Sequence, residues 1–169
     1  MMVEECAIAP ITNSNQSELI FYFLTKKLML DLILITGDRA IFNPTFGKAI
    51  VAVRPGILTG TGIPTVNKNK ICLVGDEKKV VVLGCSYTSP PNVTPGIGTL
   101  FIQSLALNQK ARKVKSKRTA VLLKGTTFTA RLQVILPAQT PTIPPTPDPI
   151  PIYFGTGFFT TTNMKAKGT

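Results

Sequence analysis

The chain has no histidine. That removes the commonest general base, the usual metal ligand and every Ser-His or Cys-His dyad, so most hydrolase mechanisms are excluded. Carboxylates are scarce too. The eight acids are Glu4, Glu5, Glu18, Asp31, Asp38, Asp76, Glu77 and Asp148, and only Asp38, Asp76 and Glu77 fall inside the strand-rich body. A two-carboxylate glycosidase or a carboxylate metal site would have to be built from these three, whereas Asp76 and Glu77 directly after Gly75 read as turn residues. The three cysteines, Cys6, Cys72 and Cys85, are an odd number without metal-like spacing. A disulfide framework is therefore not indicated, and synthesis in a reducing cytoplasm is the simpler reading. As metal ligands Cys72 and Cys85 would supply two thiolates, which fill only half of a tetrahedral zinc site, so no metal is expected there. Set in apolar runs, they read instead as inert small hydrophobes, and no cofactor is expected.

Long apolar runs and phosphate loops are missing as well. The most apolar window, residues 19–35, is interrupted by Lys26, Lys27 and Asp31 and falls short of the ~20 residues of a membrane span. Glu4 and Glu5 precede it, unlike the basic start of a secretory signal. Gly60-Thr61-Gly62 runs into Ile63 and Pro64 rather than into a helix, so no phosphate-binding loop is read there. The chain is expected not to be an enzyme but a structural or interaction protein.

What is present is strand-rich. The length of 169 residues fits one domain with a real core. A 44% hydrophobic and 16% charged composition argues against disorder, and 14 prolines with 13 glycines leave no room for long helices. Short apolar runs at residues 30–36, 48–53, 71–74, 79–83, 100–107, 120–123 and 127–136 read as strands joined in hairpins and meanders. The last is clearest, because Phe128, Ala130, Leu132, Val134 and Leu136 alternate with Thr127, Thr129, Arg131 and Gln133. An internal match at an offset of 40 sets Val53–Thr59 on Val93–Thr99, which suggests pseudo-repeated β units. The fold class read from these signals is all-β, a small cone-like arrangement of short hairpins with a Pro-rich extended C-terminal segment. Four segments follow: an N-terminal arm at 1–28, a β domain at 29–136, a proline-rich linker at 137–151, and a tail at 152–169. The linker holds seven of the 14 prolines and reads as semi-rigid. Tyr153, Phe154, Phe158 and Phe159 in the tail are expected to dock on the parent domain or on a neighbouring chain.

The balance of 19 basic to 8 acidic residues gives a net charge of +11, which makes polyanions possible partners. The densest feature is KARKVKSKR, residues 110–118, with Lys110, Arg112, Lys113, Lys115, Lys117 and Arg118. It reads as an exposed hairpin arm, either simply solvated or meeting nucleic-acid phosphates or membrane headgroups. No aromatic lies between Phe101 and Phe128, so base stacking from this stretch is not expected.

The segment GTGIPTVNKNKICLVGDE, residues 60–77, resembles the signature stretch of PAAR-repeat proteins, in which a Gly-Ser-Pro-Thr-Val turn leads through Asn-Gly-Lys to a short apolar strand and Gly-Asp. Gly62, Pro64, Thr65, Val66, Asn69, Lys70, Val74, Gly75 and Asp76 carry the match. Gly37-Asp38 resembles another Gly-Asp turn of that family, and GCSY at 84–87 sits where a cysteine-containing stretch belongs. A second unit from Pro95 keeps the strands without Gly-Asp. The resemblance spans residues 30–136. It implies a small β cone capping the trimeric spike of a contractile injection machine, such as a phage tail, a type VI secretion system or an extracellular contractile particle, assembled at the baseplate tip. The base of such a cone adds to the spike, and its apex makes transient contact with the target membrane. Gly62, Pro64, Gly75, Asp76, Pro95 and Gly96 would shape the turns of the cone. Zinc-binding members use three histidines and a cysteine near the apex; this chain departs from that pattern, which leaves packing to hold the apex. The competing reading is a basic β-barrel module that binds nucleic acid through residues 110–118, and a third is a virion or baseplate adaptor with no tip role.

Overall fold

The computed structural model describes residues 30–169, and the arm expected at 1–28 lies outside the described residues. In chain order the strands are β1 (Asp31–Leu32), β2 (Arg39–Phe42), β3 (Thr45–Phe46), β4 (Ala49–Val51), β5 (Gly56–Ile57), β6 (Thr65–Val66), β7 (Asn69–Lys70), β8 (Val81–Ser89), β9 (Asn92–Ser104), β10 (Lys110–Ser116), β11 (Thr119–Leu122), β12 (Thr127–Leu136), β13 (Ile152–Thr160) and β14 (Lys167–Gly168). Single 3-10 turns occupy Asp76–Lys79 and Leu107–Gln109. The all-β reading holds, and adjacent strands pair as hairpins at β3–β4, β6–β7, β8–β9 and β10–β11.

At the centre lie three short apolar segments with the same pattern, LILITGD at 32–38, KICLVGD at 70–76 and AVLLKGT at 120–126. They close into a ring in which the end of each segment binds the start of the next. Thr36 N donates to Lys70 O (2.8 Å), Val74 N to Ala120 O (2.9 Å) and Lys124 N to Leu32 O (2.9 Å). The middle residues repeat the cycle: Cys72 N to Leu34 O (2.8 Å), Leu122 N to Cys72 O (2.9 Å) and Leu34 N to Leu122 O (3.0 Å). Bridges Ile35↔Ile71, Leu73↔Val121 and Ile33↔Leu123 follow the same order. One chain thereby builds a pseudo-threefold ring in which each of these backbone groups finds a partner without an open edge. Each segment stops at a glycine with positive φ, Gly37 (95°), Gly75 (111°) and Gly125 (54°), a conformation that costs other L-residues ~1–2 kcal/mol.

Alternation sorts the ring into two cores. Leu34, Cys72 and Leu122 are all 0% exposed and join the main core. Their neighbours Ile33, Ile35, Ile71, Leu73, Val121 and Leu123 form a second cluster with Ala111, against which Val66, Val114 and Ala166 pack.

Between ring segments the chain makes three excursions that supply one eight-stranded antiparallel sheet, ordered β3-β4-β8-β9-β12-β13-β2-β5. The first excursion gives both ends of the sheet, the second β8 and β9, the third β12 and β13. The sheet curls into a half-barrel. The Phe46 ring of β3 packs where a side chain on Gly155 of β13 would stand, and Val80 closes on Gly56 of β5. Phe42, Phe46, Tyr87, Leu100, Phe128, Leu132, Tyr153 and Phe159 fill the concave side. Strand β12 follows its alternation, with Phe128, Ala130 and Leu132 buried and Leu136 53% exposed where the strand leaves the core.

Three expectations are corrected. Residues 152–169 are not an appended tail: β13 lies between β12 and β2 in the sheet, and β14 pairs with β1. Nor do residues 137–151 run out as an extended linker. They fold back on themselves, with Asp148 N donating to Ala138 O (2.7 Å) and Thr140 N to Thr146 O (3.0 Å). The buried Asp148 carboxylate anchors the return, taking hydrogen bonds from Tyr153 Oη (2.6 Å) and Tyr87 Oη (3.4 Å). The offset-40 match does not mark equivalent positions either, since Gly56 and Ile57 lie in the edge strand β5 whereas residues 96 and 97 lie in the interior strand β9. The structural repeat runs instead through the glycines at 37, 75 and 125.

Candidate functional site

Two corners of the ring share one carboxylate device. Asp38 Oδ2 accepts Ile35 N (2.7 Å), and its Oδ1 accepts Thr162 N (2.9 Å). Asp76 Oδ2 accepts Leu73 N (2.9 Å) and Thr61 N (3.0 Å), while Oδ1 takes Lys79 Nζ (2.9 Å). Burial alone would raise the Asp76 pKa, but the hydrogen bonds from Leu73 N, Lys79 Nζ and Thr61 outweigh it and hold the carboxyl below its ordinary value. Glu77 Oε2 accepts Gly75 N (2.6 Å). The third corner has Thr126 in place of the aspartate, and there Gly125 N donates to Asp31 Oδ2 (2.7 Å). All five described acids are thus committed to backbone N–H groups, and Asp38, Asp76, Glu77 and Asp148 are each at most 4% exposed.

The cone-shaping candidates divide between two places. Gly62, Pro64, Gly75 and Asp76 gather at one corner, where Gly62 N donates to Ile71 O (3.0 Å) and Ile71 N to Pro64 O (3.1 Å). Pro95 and Gly96 are remote from the ring, on β9, where Gly96 lets the backbone of residues 136–138 pass in contact.

The basic stretch forms β10 and the turn into β11, and Lys110, Arg112, Lys113, Lys115, Lys117 and Arg118 are all exposed. Strict alternation would divide these cations between two faces. A register shift between Lys110 and Lys115 prevents that, because Ala111, Val114 and Ser116 turn inward while Arg112 and Lys113, adjacent in sequence, both face out. Lys117 and Arg118 occupy the turn with φ of 52° and 64°, and the β6–β7 hairpin repeats it with Asn67 (51°) and Lys68 (67°). The hairpins flank successive ring segments, and a hydrogen bond from Ile63 N to Ser116 Oγ (3.3 Å) joins them. At the first segment β14 takes the place of the incoming hairpin strand: Ile33 N donates to Ala166 O (3.0 Å) as Ile71 N does to Pro64 O. Lys113 N in turn reaches Thr169 O (2.7 Å).

Cys72 and Cys85 are buried free thiols. Burial first, then the carboxylates of Asp76 and Asp38, push the Cys72 thiol up to about 12, and burial raises that of Cys85. Both are therefore poor nucleophiles and poor ligands near neutral pH. Among the described residues no three Cys, Asp or Glu side chains gather as a metal site. The sequence reading missed the ring itself. Its signal was an apolar run ending in Gly-Asp or Gly-Thr at 32–38, 70–76 and 120–126, hidden by the unequal spacing of 38 and 50 residues. Also missed was a row across the outer face of the sheet, where Arg131 lies over the Phe101 ring (4.9 Å) and pairs in register with Phe154.

A family model described as contractile injection system spike tip protein matches residues 29–169. No curated protein matches the chain.

Proposed function

Since the chain belongs to the contractile injection system spike tip family, a structural family seated at the tip of such a machine, we propose that one copy caps the trimeric central spike and helps it pierce the target envelope. The observation that carries this reading is the cyclic hydrogen bonding of residues 32–36, 70–74 and 120–124. A single chain on a three-fold axis either leaves two of three equivalent surfaces unmatched or presents nearly the same backbone three times. The ring does the latter, while the asymmetric sheet is built from the excursions between its segments.

The role is mechanical rather than catalytic. The described carboxylates hold turns, the two described thiols are buried and protonated, and the chain has no imidazole. A closed ring with satisfied backbone groups and two packed clusters suits a part that must resist compression. Neither zinc nor another cofactor enters this reading. The protein is made in the cytoplasm, joins the baseplate of a virion or injection particle, and touches the target membrane transiently when the sheath contracts.

Native mass spectrometry of the protein produced together with the central spike of its own machine tests the proposal. One tip per spike trimer, with a mass that leaves no room for a bound metal, is the expected result. A ratio of three tips per trimer, or no complex, would refute it. The competing nucleic-acid module predicts strong, salt-sensitive retardation of duplex DNA or RNA in a gel-shift titration.

A further inference from the structure

The rim of the ring carries an unbalanced charge in a repeating position. Counting along equivalent hydrogen bonds, Lys113 and Lys165 occupy one level of the ring, Lys115 and Lys167 a second, and Lys68 and Arg118 a third. All six are exposed. No described acid is available to neutralise them, since each carboxylate is tied to backbone N–H groups and the ion pair Lys79–Asp76 lies at a corner turn. Of the 19 basic residues only Lys26 and Lys27 lie outside the described stretch. A second copy of the described surface would bring like charge against like.

We infer that this basic rim is the face that meets the spike, and that the spike end it meets presents carboxylates at three-fold related positions. The inference rests on the capping proposal and adds to it the chemistry of the partner. Three-fold order is of use only against a three-fold partner, so the face that carries the order is the face that docks. A lipid surface or a nucleic-acid backbone would take the same cations without calling for them at matching levels on successive corners. Exposed Ile63 and Met164, beside these lysines at 69% and 77% accessibility, give the rim the apolar contacts that a protein interface combines with charge. Complementary charge then steers the approach and selects this end of the molecule.

The test uses the full chain and the central spike of its own machine, with binding measured by biolayer interferometry in 50 mM and 500 mM salt. Lys115→Glu with Lys167→Glu reverses two equivalent rim positions whose side chains make no hydrogen bond among the described residues. Lys48→Glu with Lys78→Glu makes the same change of net charge outside the β6–β7 and β10–β11 hairpins and β14. The rim pair is expected to weaken binding about a hundredfold, as like charges brought face to face do, and the control pair less than about threefold, with the wild-type Kd rising at least about tenfold in high salt. Melting curves matching wild type establish that both pairs are folded. Rim variants that bind like wild type would overturn the inference and leave capping intact. A wild-type protein that binds no spike would remove both. Spike binding that survives while binding to phosphatidylglycerol vesicles or duplex DNA is lost would reassign the rim to those phosphates.

Discussion

Asp76 shows how single residues in this protein serve shape. Its carboxylate gathers Leu73 N, Thr61 N and Lys79 Nζ around the turn that follows Gly75, so it does at one corner what Asp38 does at another. Its pKa is lower in the folded protein than in the unfolded chain. Such a group adds stability above the unfolded value of ~3.9, and that contribution is lost as the pH falls through the folded value. The urea midpoint should therefore drop on acidification below about pH 4, and Asp76→Asn should flatten this part of the curve. At neutral pH the same substitution should lower stability by ~1–3 kcal/mol, because the acceptor arrangement of a buried site is broken. An unchanged acid limb in Asp76→Asn would show that the turn does not depend on the charge. Asp76 and Glu77 were legible as turn residues because they follow a glycine. That the same turn recurs at Asp38, with a threonine N–H completing each, depends on Thr61 and Thr162, which no local pattern singles out.

At the level of elements, legibility followed backbone regularity. Strand β12 is a clean alternation and stands where its sequence puts it, over Thr127–Leu136. Strand β13 reads as part of a tail in the sequence because Gly155 and Gly157 break its alternation and a proline run precedes it. Those glycines are what the neighbours require, since the rings of Phe46 and Phe128 fill the places where side chains would stand. The proline-rich loop likewise hides its anchor in one carboxylate. Tyr153→Phe keeps the ring but removes the donor to Asp148 and the partner of Ser89, so a loss of ~1–3 kcal/mol in chemical denaturation is expected. A loss near zero would mean that Tyr87 alone holds the return. The tip of the β10–β11 hairpin runs the other way. Lys117 and Arg118 sit at positive φ, where Asn-Gly is the favoured pair. Lys117→Asn with Arg118→Gly should raise stability by ~1–2 kcal/mol, read as a higher melting temperature. A fall would show that the two cations make contacts that outweigh the strain.

On the scale of the whole molecule, charge and symmetry are laid out separately. The described acids bind backbone while most of the described cations are exposed, so the positive charge read from composition is carried by the surface rather than by the core. The offset-40 comparison found resemblance between Pro-Gly turns, but the equivalence that matters is written in three apolar segments whose spacing is unequal, because each excursion between them is a different length. A fixed-period search cannot see such a repeat; closure of backbone hydrogen bonds around an axis reveals it. The third flank of that ring is assembled from the two most distant described stretches, Asp31–Leu32 against Lys167–Gly168. That seam works as a seal on the finished product. A ribosome must have passed residue 168 before the last flank can form, so a chain cut short or clipped there would keep two flanks and leave the first ring segment bare on its outer side.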